Sequence, residues 1–97
     1  MTALMIATIT VKDPEKFQQY LANTQEVAAP FGAELLFRGI VDKTLTGEDK
    51  DHRLAVIVKF PSLEKINEWY GSDAYQPLIA LRDEGSVMKM TSYEILA

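Results

Sequence analysis

The chain of 97 residues has no cysteine, one histidine, one tryptophan and no excess of basic residues. Each shortage excludes something. Without cysteine there is no disulfide framework and no thiolate chemistry. With His52 alone, a His-rich metal site is excluded. A net charge of −4 with no basic patch argues against nucleic acid and anionic membranes as partners. No stretch approaches the roughly 20 apolar residues that cross a bilayer. The apolar run after Met1-Thr2-Ala3-Leu4 is short and follows no basic residue, so no signal peptide is expected and the cytoplasm is the default location. G-x-G-x-x-G, the P-loop and the nucleophile elbow are absent, and no cofactor is expected. What is present is an ordinary globular composition, 47% hydrophobic and 25% charged, at a length that predicts one domain over residues 1–97. A domain this small buries only roughly 60–65% of the surface of its unfolded chain, so self-association would help it.

The apolar pattern divides the chain into six main elements. Leu4 to Val11 reads as a strand, with Met5, Ala7, Ile9 and Val11 on one face and Leu4, Ile6, Thr8 and Thr10 on the other. Asp13-Pro14-Glu15 starts a helix: a side-chain acceptor, a preset φ and a charge that suits the helix dipole. Phe17, Tyr20, Leu21, Thr24, Val27, Ala28 and Phe31 follow at helical spacing, and Pro30 and Gly32 predict an end near Ala28. A second strand is expected from Ala33 to about Val41, prolonged by Thr44-Leu45-Thr46. Leu36, Arg38 and Ile40 would share one of its faces, and Leu35, Phe37, Gly39 and Val41 the other. Gly47 to Asp51 reads as a solvated loop. Arg53 to Phe60 is apolar enough for a central strand. Pro61 ends it, Ser62 caps a helix with Leu63, Ile66, Trp69 and Tyr70 inward, and Gly71 stops that helix. Ser72 or Asp73 would restart a helix to about Asp83, with Tyr75, Leu78 and Ile79 inward, and Gly85 breaks it. Val87 to Leu96 is the last strand.

The order β-α-β-β-α-β is the ferredoxin-like split βαβ arrangement: an α+β sandwich, four antiparallel strands with helices on one face. The other face would carry Leu4 and Ile6, and Leu36 and Ile40 or their alternates. It is too apolar to stay in water and predicts a homodimer packed sheet to sheet.

Six segments together carry a family resemblance. They are Ile6-Ala7-Thr8-Ile9-Thr10-Val11-Lys12-Asp13-Pro14-Glu15, Phe37-Arg38-Gly39, Phe60-Pro61-Ser62-Leu63-Glu64, Trp69-Tyr70, Ser72-Asp73-Ala74-Tyr75-Gln76-Pro77 and Leu78-Ile79-Ala80-Leu81-Arg82. The chain resembles the DUF1330 family over nearly its whole length. Pro30, Pro77 and the charged loop from Asp42 to Asp51 depart from the family pattern. The resemblance implies a dimeric α/β barrel and no established activity. Barrel relatives include cofactor-independent monooxygenases, muconolactone-isomerase-like enzymes and haem-handling proteins, so fold does not decide function.

Candidate site residues are few. His52 has the chemistry of a general base, or is a solvated loop residue. Glu48, Asp49 and Asp51 lack the EF-hand spacing and read as a solvated loop. Arg38, flanked by apolar residues in a strand whose two faces both read as covered, is expected to be buried, as either a structural ion-pair partner of Glu34 or Glu94 or an anion clamp with a catalytic or binding role. Tyr20, Trp69 and Tyr70 are core aromatics or the wall of a ligand pocket, and Arg82 is placed to close that pocket or lies on the surface. Asn67, two residues before Trp69, lies about 200° around the helix and should not share a cavity with it. Two functions stay open: a metal-independent enzyme acting on a small carboxylate-bearing or aromatic molecule, and a non-catalytic ligand-binding or interaction domain.

Overall fold

The computed structural model describes residues 2–47 and 52–96. The elements are β1 (Ala3–Val11), α1 (Pro14–Ala28), β2 (Glu34–Ile40), β3 (Leu54–Phe60), α2 (Leu63–Tyr70), α3 (Leu78–Gly85) and β4 (Ser86–Glu94), with a 3-10 turn at Ala29–Phe31 after α1. The four strands form one antiparallel sheet in the order β2-β3-β1-β4, and its edges are not joined. β3 is central, as its apolar run predicted. Among the described residues no helix is long and apolar enough to cross a membrane.

Local chemistry sets the helix boundaries. Asp13 Oδ1 accepts from the backbone N–H of Glu15 and Lys16, and Ser62 Oγ from that of Lys65. Each side chain thereby satisfies donors that a helix start leaves unpaired. The predicted helix over 73–83 is shorter than expected. It begins only at Leu78, after Pro77, because residues 72–77 form turns. Ser72 Oγ organises them, donating to Trp69 O at 2.7 Å and accepting from Tyr75 N at 3.1 Å. Thr44-Leu45-Thr46 does not extend β2, and Leu45 is 85% exposed. The charged run from Glu48 to Asp51 lies outside the described residues.

The core sits between the sheet and the helices. Ala3, Met5, Ala7 and Ile9 alternate inward along β1, and Phe17, Tyr20, Phe60, Ile66, Trp69 and Tyr75 close over them. The opposite face carries Leu4, Ile6 and Ile57, all half-buried, with Phe37, Val87 and Tyr93 about half exposed. That face has no helix on it.

β2 departs from the expected alternation. Leu35 pairs with Val58, but Phe37 pairs with Ile57 and Arg38 with Val56, so a bulge at Leu36 inserts one residue. A bulge reverses the side-chain phase beyond it. Arg38 and Ile40 therefore share the helix-side face with Leu35, while Phe37 and Gly39 face the open side, which corrects the predicted pairing of Leu35 with Phe37. A Cβ on Gly39 would lie 2.5 Å from the Phe37 ring, so the ring occupies the space that glycine leaves.

Gly85 ties the two halves of the helix layer. Its carbonyl accepts from the backbone N–H of Lys12 and Asp13 at 2.8 and 3.1 Å. A Cβ there would stand 2.7 Å from Phe17 N, a backbone atom that cannot swing aside. Gly85→Ala is expected to cost about 1–3 kcal/mol, as overpacking does. Urea unfolding followed by circular dichroism should show a lower midpoint with an unchanged slope.

Candidate functional site

A cavity of about 240 Å³ lies between α1 and the sheet. Its floor is Met5, Ala7 and Ile9 of β1 with Val56 and Val58 of β3; its roof is Tyr20, Leu21, Thr24 and Ala28 of α1. Ala7 and Ala28 are the reason it exists, since larger side chains at either position would fill it. Leu35 and Arg38 stand at the β2 side, where the helix layer does not reach. Gln25, Ala33, Phe60, Trp69, Met88 and Met90 complete the lining. Methionine side chains adapt to irregular shapes. The walls are mainly apolar, and within two of the lining residues Thr24 Oγ1 and Trp69 Nε1 are buried out of contact with water and without a hydrogen bond.

A chain of hydrogen bonds borders this cavity. Tyr20 and Tyr75 hydroxyls lie 2.9 Å apart. Arg82 Nη1 donates to the Tyr75 hydroxyl and to the Tyr70 hydroxyl, both at 3.1 Å, and Nε donates to Asp83 at 3.0 Å. The Tyr70 ring lies 6.0 Å from the guanidinium carbon. Trp69 packs on Tyr75 at 4.5 Å and on Phe60 at 5.5 Å between ring centroids. Spacing explains the convergence: Tyr20 is on the inward stripe of α1, Trp69 on that of α2, and the turn held by Ser72 brings Tyr75 back under both. Gln76 Nε2 fastens the turn by donating to Tyr70 O at 2.6 Å.

Burial pushes the Tyr20 hydroxyl far above its ordinary pKa, and the neighbouring Tyr75 reinforces the shift. Nearby Thr24 opposes it, although no hydrogen bond of good geometry joins the two hydroxyls. Burial also raises Tyr75, and its bonds to Tyr20 and Arg82 only partly offset this. Burial works against the charge on Arg82, but its bonds to Tyr70, Asp83 and Tyr75 prevail and hold the guanidinium firmly protonated. Tyr20 is therefore a neutral hydrogen-bond donor at neutral pH, not a base.

The structure brings Tyr20, Trp69, Tyr70 and Arg82 into one cluster and leaves His52 and Arg38 apart from it. Trp69 is core and cavity wall at once. Tyr70 is not inward as its helix position predicted; it is 38% exposed and covers Arg82 instead. Arg38 is exposed, with no ion pair to Glu34, Glu94 or any other described residue. Its expected burial fails because β2 is an edge strand whose helix-side face is largely uncovered. Half-buried His52 precedes β3 and is not among the residues that line the cavity beneath α1. It lies at the Leu54 end of the strand, about 20 Å of extended chain from the Phe60 end where Trp69 packs. A second, open cavity of about 630 Å³ runs between α2 and β4 and is bordered by Asn67, Tyr70, Arg82 and Ser92. Trp69 borders it too, so Asn67 and Trp69 do share a cavity. The indole is wide enough to wall both spaces. Tyr75 and Thr24 were missed as site residues. Their signals were a tyrosine six residues beyond the tryptophan across a turn, and a hydroxyl on the apolar stripe of α1.

The family model named Domain of unknown function (DUF1330) matches residues 2–95. No protein of curated function matches the chain. A protein of unknown function from Rhodopseudomonas palustris superposes with a TM-score of 0.82 at 16% identity, over 99% of this chain and 83% of that one. SnoaB, a cofactor-independent oxygenase from Streptomyces nogalater, gives 0.71 at 13%, over 99% and 94%. A dimeric ferredoxin-like protein of unknown function from Jannaschia gives 0.72 at 6%, over 98% and 100%. At such identities the likeness shows the shared ferredoxin-like fold. The chain belongs to the DUF1330 family.

The raised tyrosines have a consequence in alkali. An unfolded tyrosine loses its proton near pH 10, while Tyr20 in the fold keeps its own, so the folded state binds more protons there. The stability that this contributes is complete below pH 10 and falls as pH rises beyond it. In Tyr20→Phe the fall between pH 10 and 11.5 should be shallower by up to about 1.4 kcal/mol per pH unit. Urea unfolding at stepped pH measures both slopes; equal slopes would place Tyr20 in water.

Proposed function

We propose that the protein binds a small, mainly apolar molecule bearing a carboxylate, with its body in the cavity beneath α1 and its carboxylate at Arg38. One observation carries this reading: a cavity of about 240 Å³ with mainly apolar walls lies beneath α1. The mouth adds the second element of recognition, an arginine whose planar fork suits a carboxylate and which has no other partner among the described residues. A binding role is favoured over catalysis because Tyr20 is held neutral and His52 lies outside the cavity. That SnoaB is an oxygenase keeps turnover of such a guest as the second reading.

2-Naphthoate is a suitable first probe, read through quenching of Trp69, the only tryptophan. Arg38→Ala should weaken it about 3- to 10-fold, a range set by an exposed charge-assisted bond, and leave naphthalene unaffected. Ala28→Leu should abolish both while the fold keeps its stability. If neither probe binds the wild type, or if Ala28→Leu leaves binding intact, the cavity is not the site.

The open sheet face supports a homodimer, as in the neighbour described as dimeric. Leu4, Ile6, Phe37, Ile57 and Tyr93 form an apolar strip that a second copy, turned about a two-fold axis, covers with the same strip. Sedimentation at micromolar concentration should give a dimer, and Ile6→Glu a folded monomer. A wild-type monomer would exclude this arrangement.

A further inference from the structure

We propose that Arg82 is a positioning residue that acts through Tyr75 to turn the Tyr20 hydroxyl proton into the cavity. The cavity then meets a donor at Tyr20 and selects a guest whose buried end is a carbonyl oxygen. This rests on the ligand-binding reading above and adds the chemistry of the guest's far end, so that a keto acid with an aromatic or alicyclic body becomes the expected class.

The argument follows the protons. A guanidinium can only donate, so the Tyr75 oxygen accepts from Arg82 Nη1. Tyr75 is fully buried, and its own proton needs an acceptor. Its remaining hydrogen-bond partner on the hydroxyl is Tyr20, 2.9 Å away. If Tyr20 were the donor in that contact, the Tyr75 proton would be buried with nowhere to go. Tyr75 therefore donates to Tyr20, and the charge on Arg82 strengthens that direction by polarising the chain. The Tyr20 proton is left for the cavity that Tyr20 lines. A carbonyl oxygen accepts that proton, whereas a guest that presents an N–H or O–H there meets a donor head on and must turn to the Thr24 hydroxyl or the Gln25 amide oxygen instead.

The probes are 1-tetralone and tetralin, a matched pair that differs by the carbonyl, each titrated against Trp69 fluorescence. Tyr20→Phe should weaken 1-tetralone about 3- to 10-fold and leave tetralin unchanged, the range for one neutral hydrogen bond. The bound carbonyl stretch, read by infrared difference spectroscopy, should rise in that variant. Arg82→Met should do the same, because Tyr75 becomes free to accept the Tyr20 proton. Adding Tyr75→Phe to Arg82→Met should restore 1-tetralone binding, since the competing acceptor is gone. A merely structural role for Arg82 predicts no such rescue. Equal losses for both probes in Arg82→Met, or no rescue in the double variant, would overturn the positioning role. If Arg82→Met does not fold, the Tyr20→Phe arm decides: an unchanged 1-tetralone to tetralin ratio sinks the inference while the ligand-binding reading survives. Binding of neither probe to the wild type defeats both.

Discussion

A phenol that is wholly out of water sets the terms for the helix layer. Tyr75 has no solvent exposure, and its hydroxyl must find partners inside. It finds one on α1, through Tyr20, and one on α3, through Arg82. Those two contacts, together with the indole of Trp69 against its ring, join α1, α2, α3 and the turn between the last two. Helices of eight residues, as α2 and α3 are, do not persist alone in water. Their stability comes from what they pack on. The same contacts also hold the hydroxyl of Tyr20, whose side chain borders the cavity.

The second constraint is on the sheet. One extra residue in β2 decides which side of the molecule Phe37 and Arg38 serve. Without the bulge at Leu36, regular alternation from Leu35 would put Phe37 under the helices and Arg38 among the apolar residues of the open face. An arginine there would have to be desolvated by any partner sheet, at a cost that a lone charge seldom recovers. With the bulge, the aromatic ring joins the apolar face, and the guanidinium stands in water at the cavity mouth. Gly39 permits the ring to fold back over the strand. The proposed dimer face and the proposed carboxylate contact are thus separated by a single register shift.

Much of this was legible in the sequence, and what was not has a physical reason. Strand periodicity in β1, β3 and β4 and the caps at Asp13 and Ser62 are local signals, set by neighbours a few residues away. They read correctly. The bulge did not, because a regular alternation of Leu35 to Val41 is equally consistent with either register; only pairing with β3 distinguishes them. Arg38 was expected to be buried for the same reason: two apolar flanks say nothing about whether a strand lies at the edge. Tyr75 was read as inward, which is right, but its role depends on Tyr20, 55 residues away in sequence. No spacing rule spans that distance. Tyr70 came out of its predicted stripe because a short helix ending at Gly71 leaves its last residue free to follow Arg82 rather than the core.

The cavity and the tyrosine chain are one feature, not two. Ala7 and Ala28 leave space that a well-packed core would fill, since protein interiors are normally close-packed. A void of this kind costs stability in proportion to its size, and a domain of this length has little to spare. A packing defect would be expected among purely aliphatic walls. This one abuts the hydrogen-bond chain that runs from Tyr20 through Tyr75 to Arg82. The binding proposed for this cavity then costs less, because side chains already held by one another need no ordering when a guest arrives.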